Sequence, residues 1–77
     1  MKVEIISPDR NIFSGEATLV SLPGTKGSFE IEQNHAAIIS TLEQGKIKIK
    51  NGDKEEFFEI SGGLVECNSN KVNILVN

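Results

Sequence analysis

Leu22-Pro-Gly-Thr-Lys-Gly-Ser-Phe-Glu-Ile-Glu-Gln-Asn-His-Ala-Ala-Ile-Ile-Ser-Thr-Leu-Glu-Gln-Gly45 is the stretch whose punctuation decides the fold. It holds three glycines, one of the two prolines and the only histidine. Pro23 and Gly24 are expected to stop one apolar run, and Gly27 lets the backbone reverse again. The trio Gln33-Asn34-His35 interrupts once more before Ala36 to Leu42 resumes. Apolar runs this short between such corners read as strands.

The flanking segments repeat the pattern. Upstream, Val3 to Ile6 reads as a strand ended by Ser7-Pro8-Asp9, because proline cannot donate to a ladder. Asn11 to Phe13 is a short second piece, and Ser14-Gly15 is expected to turn the chain into a longer strand from Glu16 to Leu22. Downstream, Gly45-Lys-Ile-Lys-Ile-Lys50 alternates with period two, so Ile47 and Ile49 share one face and Lys46, Lys48 and Lys50 the other. Asn51-Gly52-Asp53 is expected to close a hairpin on Lys54 to Ile60, which brings Glu55, Glu56 and Glu59 near the lysines. Ser61-Gly62-Gly63 turns again before Leu64 to Cys67 and Val72 to Val76. No run of ten or more residues shows a helical period with a cap. The fold class is therefore all-β, a small β-sandwich or flattened barrel of about nine to ten short strands.

Seventy-seven residues make one expected domain, spanning residues 1–77. A chain of this size buries only about 60% of the surface its unfolded form exposes, so a covering partner would stabilise it. Cys67, the only cysteine, excludes an internal disulfide and reads as a small filler in a strand. A net charge of −3 speaks against nucleic acid as a partner. No apolar run approaches the roughly 20 residues that span a bilayer, so direct membrane insertion is not expected. Lys2, Glu4, Pro8, Asp9 and Arg10 break up any secretory signal.

One feature conflicts with a strand that has a wet face. Apolar residues stand side by side at Ile5-Ile6, Leu19-Val20, Ile38-Ile39, Phe57-Phe58, Leu64-Val65 and Leu75-Val76. Neighbours in a strand point to opposite faces, so one member of each doublet enters the core and the other needs separate cover. Six doublets together point to an apolar docking patch.

Catalytic chemistry finds no constellation. His35 sits in a turn without a Ser/Asp pattern or a second metal ligand of recognisable spacing. The glycines at positions 24 and 27 precede a strand, so no helix N-terminus is offered to a phosphate. No catalytic residue, metal or cofactor is expected. The rival reading is a lipoyl- or biotinyl-type carrier domain, with Lys54 beside Gly52-Asp53 as its modified lysine. The internal repeat such a carrier would show is missing.

Four segments, in order, resemble the epsilon subunit of F-type rotary ATP synthases. They are Ile12-Phe13-Ser14-Gly15-Glu16, then Leu22-Pro-Gly-Thr-Lys-Gly with Phe29-Glu-Ile, then His35-Ala with Gln44-Gly45-Lys-Ile-Lys-Ile, and lastly Ile60-Ser-Gly-Gly-Leu-Val-Glu66 with Asn70-Lys-Val-Asn-Ile-Leu75. The resemblance implies a β-sandwich that is a non-catalytic rotor subunit, linking the gamma subunit to the membrane c-ring for proton-driven ATP synthesis. It implies a peripheral place on the cytoplasmic face of a bacterial inner membrane. By the same resemblance Ser7, His35 and Ser40 match positions facing gamma, and Ile39 and Leu42 join them. Thr25, Lys26, Gly27 and Ser28 take the place of the loop that touches the c-ring. The family's two-helix hairpin has no counterpart among these residues, so neither nucleotide binding nor hairpin-based restraint of hydrolysis is expected. The family's Pro-Gly before the histidine is Gln33-Asn34 here, and its following proline is Ala37, which predicts a less rigid loop.

Overall fold

The computed structural model describes residues 1–77. Its strands are β1 (Lys2–Ile6), β2 (Asn11–Glu16), β3 (Leu19–Gly24), β4 (Gly27–Glu32), β5 (Ile38–Leu42), β6 (Gly45–Asn51), β7 (Lys54–Ile60), β8 (Gly63–Asn68) and β9 (Lys71–Val76). They form one nine-stranded sheet in the order β2-β1-β9-β8-β5-β3-β6-β7, with β4 added on β3. All neighbours are antiparallel except β1 and β9, which run parallel with Val3 beside Val72 and Ile5 beside Ile74. β5 and β3 meet at a single pair, Leu42 opposite Gly24. There the sheet folds over, so that β2-β1-β9-β8-β5 covers β4-β3-β6-β7. At the far side the rings of Phe13 on β2 and Phe58 on β7 close the seam, with centroids 5.5 Å apart and planes tilted 58°.

Alternation fills the space between the layers. Val3, Ile5, Val65, Cys67, Val72, Ile74 and Val76 face inward from one layer, and Val20, Leu22, Ile31, Ile47, Ile49 and Ile60 from the other. The predicted all-β sandwich is the observed fold. Cys67 lies in this core, and burial pushes its thiol up from its ordinary range, which keeps it protonated.

Several expected corners lie elsewhere. Ser14 and Gly15 do not turn the chain, because β2 continues past them with Ser14 opposite Glu4 and Gly15 opposite Val3. The Phe13 ring lies over this glycine, and a Cβ on Gly15 would come 3.1 Å from the ring edge. The turn falls at Ala17-Thr18, where the Ala17 N–H donates to Met1 O at 2.9 Å and the Thr18 N–H to Lys50 O at 2.7 Å. Pro23 and Gly24 likewise belong to β3. The Pro23 carbonyl accepts from the Glu43 N–H at 2.8 Å, on the side where β3 changes partner from β6 to β5, so its missing donor falls at a junction. The reversal comes at Thr25-Lys26, and Gly27 takes the positive φ of 126° that follows it. β5 begins at Ile38 instead of Ala36.

At the β6–β7 hairpin Asn51 pairs with Lys54, leaving a two-residue loop of Gly52 and Asp53. Positive φ at Gly52 alone, 63°, fits a type II′ turn. Lys50 stands opposite Glu55 and Lys46 opposite Glu59, but Glu56 stands opposite Ile49. None of these pairs closes to 4.0 Å; the sole ion pair at that distance joins the Met1 ammonium to Glu16 at 3.6 Å. The lysine row is a solvated face.

Candidate functional site

The apolar doublets resolve into a pattern. Ile5, Ile38, Val65 and Val76 point inward, and their neighbours Ile6, Ile39, Leu64 and Leu75 point out of the same five-stranded layer. Register lines up Thr41, Leu64, Leu75 and Ile6 in one row across β5, β8, β9 and β1. The next row runs Ile39, Glu66, Asn73, Glu4 and Ser14. Ile39 is 67% exposed and Leu75 49%, while Ile6 and Leu64 are half-buried. An open groove of about 570 Å³, lined in part by Thr41, Gly62, Leu64 and Leu75, lies at the end of the apolar row.

The opposite outer face differs. Lys46, Lys48 and Lys50 are flanked there by Glu30 and Glu32 of β4 and by Glu55 and Glu59 of β7. Leu19 and Phe57, the outward members of the other two doublets, are dispersed among these charges. That face is the more densely charged, whereas on the five-stranded layer the Ile6–Leu75–Leu64 row with Ile39, bordered by Lys2, Glu4, Glu66 and Lys71, is the kind of contiguous apolar patch that marks an interaction site.

The residues expected to face gamma are spread along that layer. Ser7 follows β1, and its N–H and Oγ both donate to Arg10 O, at 2.9 and 3.3 Å, closing the turn beside Ile6. Ser40 is half-buried on the inward side of β5, and its Oγ donates to Thr41 O at 3.3 Å. Leu42 is only 4% exposed and packs in the core where the layers join, so it is not presented to a partner. Ile39 alone offers an exposed apolar side chain.

His35 lies at the far end, near the β8–β9 turn. Its N–H donates to Glu32 O at 3.1 Å, and its Nδ1–H donates to Ala36 O at 2.7 Å. The loop lacks the prolines but is tied by an amide pair that sequence reasoning did not find. The Asn34 N–H donates to Asn70 Oδ1 at 2.7 Å, and Asn70 Nδ2 donates to Asn34 Oδ1 at 3.1 Å. Both residues are left-handed, with φ of 64° and 60°, a conformation asparagine tolerates. The available signal was the presence of asparagine at two separate corners. Asn70→Gly keeps the corner and deletes the pair. It is expected to cost about 1 kcal/mol in urea unfolding and to speed exchange of the Asn34 amide. An unchanged Asn34 exchange rate would show that the tie has no weight.

Thr25, Lys26, Gly27 and Ser28 form an exposed corner at the other end of the layer. The Thr25 N–H donates to Thr41 O at 3.1 Å, and the Thr25 and Thr41 hydroxyls lie 2.7 Å apart. The corner is thereby fixed to β5, next to the apolar row. No group of three or more His, Cys, Asp or Glu side chains gathers anywhere in the chain.

Comparison with known proteins shows the family to which this fold belongs. The ATP synthase delta/epsilon chain β-sandwich domain matches residues 1–77. The ATP synthase epsilon chain of Leptospira interrogans is 36% identical over 77 residues, covering all of this chain and 61% of that relative. The epsilon chains of Caulobacter vibrioides and Chlorobium limicola are 37% and 40% identical, covering 92% and 96% of this chain and 83% and 85% of those relatives. This chain thus spans about three-fifths of the first relative and over four-fifths of the other two. A chain in the OSCP/F1/c-ring structure of the Euglena gracilis mitochondrial ATP synthase superposes with a TM-score of 0.89 at 21% identity, covering 96% of this chain and 48% of that one. A chain in the central stalk/c-ring structure from Tetrahymena thermophila gives 0.83 at 20%, covering 97% and 61%. At such identities the likeness shows the fold. With the family matched along its whole length and epsilon chains among its relatives, the chain belongs to the β-sandwich domain family of ATP synthase delta and epsilon chains.

Proposed function

We propose that this chain is the rotor coupling of a rotary ATP synthase. It holds the gamma subunit on the outer face of β2-β1-β9-β8-β5 and rests its Thr25–Ser28 corner on the membrane c-ring. It carries out no chemistry itself and sits peripherally, on the cytoplasmic side of a bacterial inner membrane. The observation that carries this reading is the convergence of Ile6, Ile39, Leu64 and Leu75 on one outward face, adjoining a polar corner pinned to the same strand through Thr41. Covering apolar surface yields about 25 cal/mol per Å², which suits a long-lived contact with gamma. The donors of Thr25, Lys26 and Ser28 suit a smaller, wetter contact with polar loops.

The test is a pull-down of gamma and, separately, of the isolated ring with folded variants. Ile39→Asp is expected to abolish capture of gamma. Lys26→Glu reverses an exposed charge and is expected to weaken ring association about tenfold, with gamma capture unchanged. Unchanged capture of both partners by both variants, with circular dichroism confirming the fold, would overturn the proposal.

A further inference from the structure

The sheet has four strands with a free edge, and three of them are guarded. β7 carries Lys54, Glu55, Glu56 and Glu59, and β4 carries Glu30 and Glu32. β2 is broken by a bulge that leaves Ile12 unpaired, and it ends on Glu16. Charges and bulges are the devices that keep edges from pairing with other chains. β5, Ile-Ile-Ser-Thr-Leu, has none of them.

β5 pairs with β8 along all five residues on one side. On the other it meets β3 only where Leu42 lies opposite Gly24. The Thr41 carbonyl points to this second side, since it accepts from the Thr25 N–H at 3.1 Å. Main-chain groups of one residue leave a strand on the same side, and alternate residues repeat the direction. The Thr41 N–H and both the N–H and C=O of Ile39 therefore line an edge on which no strand lies. Ala36 and Ala37, which precede the strand, are exposed as well.

We propose that gamma binds in part by strand addition, with an extended segment pairing against β5 from Ala37 to Thr41 and becoming a sixth strand of the β2-β1-β9-β8-β5 layer. This rests on the reading of that layer as the gamma-docking face. The segment donates to and accepts from Ile39 and accepts from the Thr41 N–H. Thr25 already occupies the Thr41 carbonyl, so the pairing ends there and the added strand is short. One of its side chains stands beside Ile39 and continues the apolar patch, which selects an uncharged, apolar residue at that position. A second copy of this chain is a poorer occupant. An edge of this length buries far less than the roughly 1,000 Å² that a stable dimer needs, whereas gamma covers the adjoining face as well.

The experiment is amide hydrogen exchange, read by NMR on the isotope-labelled full chain, free and saturated with unlabelled gamma. The expected result is at least a tenfold slowing at Ile39 and Thr41, with little change at Ile38 and Ser40, whose groups already face β8. If gamma binds and shifts the Leu64 and Leu75 methyl signals while Ile39 and Thr41 exchange as in the free chain, strand addition is overturned and the docking face stands. If gamma does not bind at all, both readings fall. Protection at Ile39 that grows with the concentration of the free chain would assign the edge to a second copy and also overturn the proposal.

Discussion

Ile39→Asp is expected to weaken the binding of gamma by about 3 to 4 kcal/mol, a loss of two to three orders of magnitude in affinity. In the free chain the change is mild. Ile39 is 67% exposed, so an aspartate there keeps its water, and the cost is the lower strand propensity of Asp plus repulsion from Glu66 directly opposite. These effects together come to about 1 kcal/mol, and circular dichroism should report an intact sandwich. In the proposed complex the same carboxylate would be enclosed between Leu64 and the partner, beside Glu66 and with no cation on β5 or β8 to offset it. Leu75→Asp, one row away and 49% exposed, should act in the same direction. The control is Phe57→Asp. Phe57 is 57% exposed, as apolar as Ile39, but it lies on the charged outer face. If Phe57→Asp costs as much gamma affinity as Ile39→Asp, the docking face has been assigned to the wrong layer.

That distinction between faces was half legible in the sequence. The side-by-side apolar pairs state that each strand has something to hide on both sides, because side chains alternate with period two. Which pairs would converge was not legible. Ile6, Ile39, Leu64 and Leu75 become neighbours only through the order β1-β9-β8-β5, and the parallel contact of β1 with β9 joins the two ends of the chain. No local pattern encodes a pairing across that separation. Leu42 shows the converse. It was expected at the docking surface beside Ile39, but it falls on the inward parity of β5 at the point where the sheet folds over.

Strand existence was clearer than strand ends. Gly15 and Gly24 looked like corners because glycine is the usual residue of a turn, yet neither has a positive φ. Each is small because something lies against it: the Phe13 ring in one case, and the Gly27 carbonyl and Phe29 ring in the other. Sequence alone cannot separate a glycine needed for its φ from one needed for its missing Cβ. The real corner at Thr25-Lys26 lies just past the Pro23-Gly24 pair where composition puts it, whereas the Gly52-Asp53 loop falls within the expected Asn51-Gly52-Asp53 turn. The Asn34–Asn70 tie was hidden for a related reason, since it links two corners 36 residues apart.

Gly63→Ala should test that second role of glycine with the largest loss of stability among the positions considered. Gly63 opens β8 between two neighbours, Val76 of β9 and Leu42 of β5. A Cβ there would collide with the Leu75 carbonyl oxygen and come within 3.1 Å of Val76 Cα and 3.2 Å of the Leu75 carbonyl carbon. All three atoms are backbone, so no rotamer change clears the way; β8 and β9 must part. Their hydrogen bonds lengthen, and Val65 and Ile74, which face each other across the same pair and are fully buried, lose contact. Overpacking of this kind costs about 1 to 3 kcal/mol when side chains can yield, and a backbone collision belongs at or above the upper end. A chain of this length has about 4 to 12 kcal/mol in total, at 0.05 to 0.15 per residue. A melting point lowered by roughly 10 to 20 °C is therefore expected. Gly15→Ala is the comparison, because the added methyl meets only the Phe13 ring, which can swing aside, and its expected cost is below about 1 kcal/mol. Thermal unfolding of the two variants side by side decides the matter: equal midpoints would show that the β8–β9 approach is not as tight as the Leu75 carbonyl makes it.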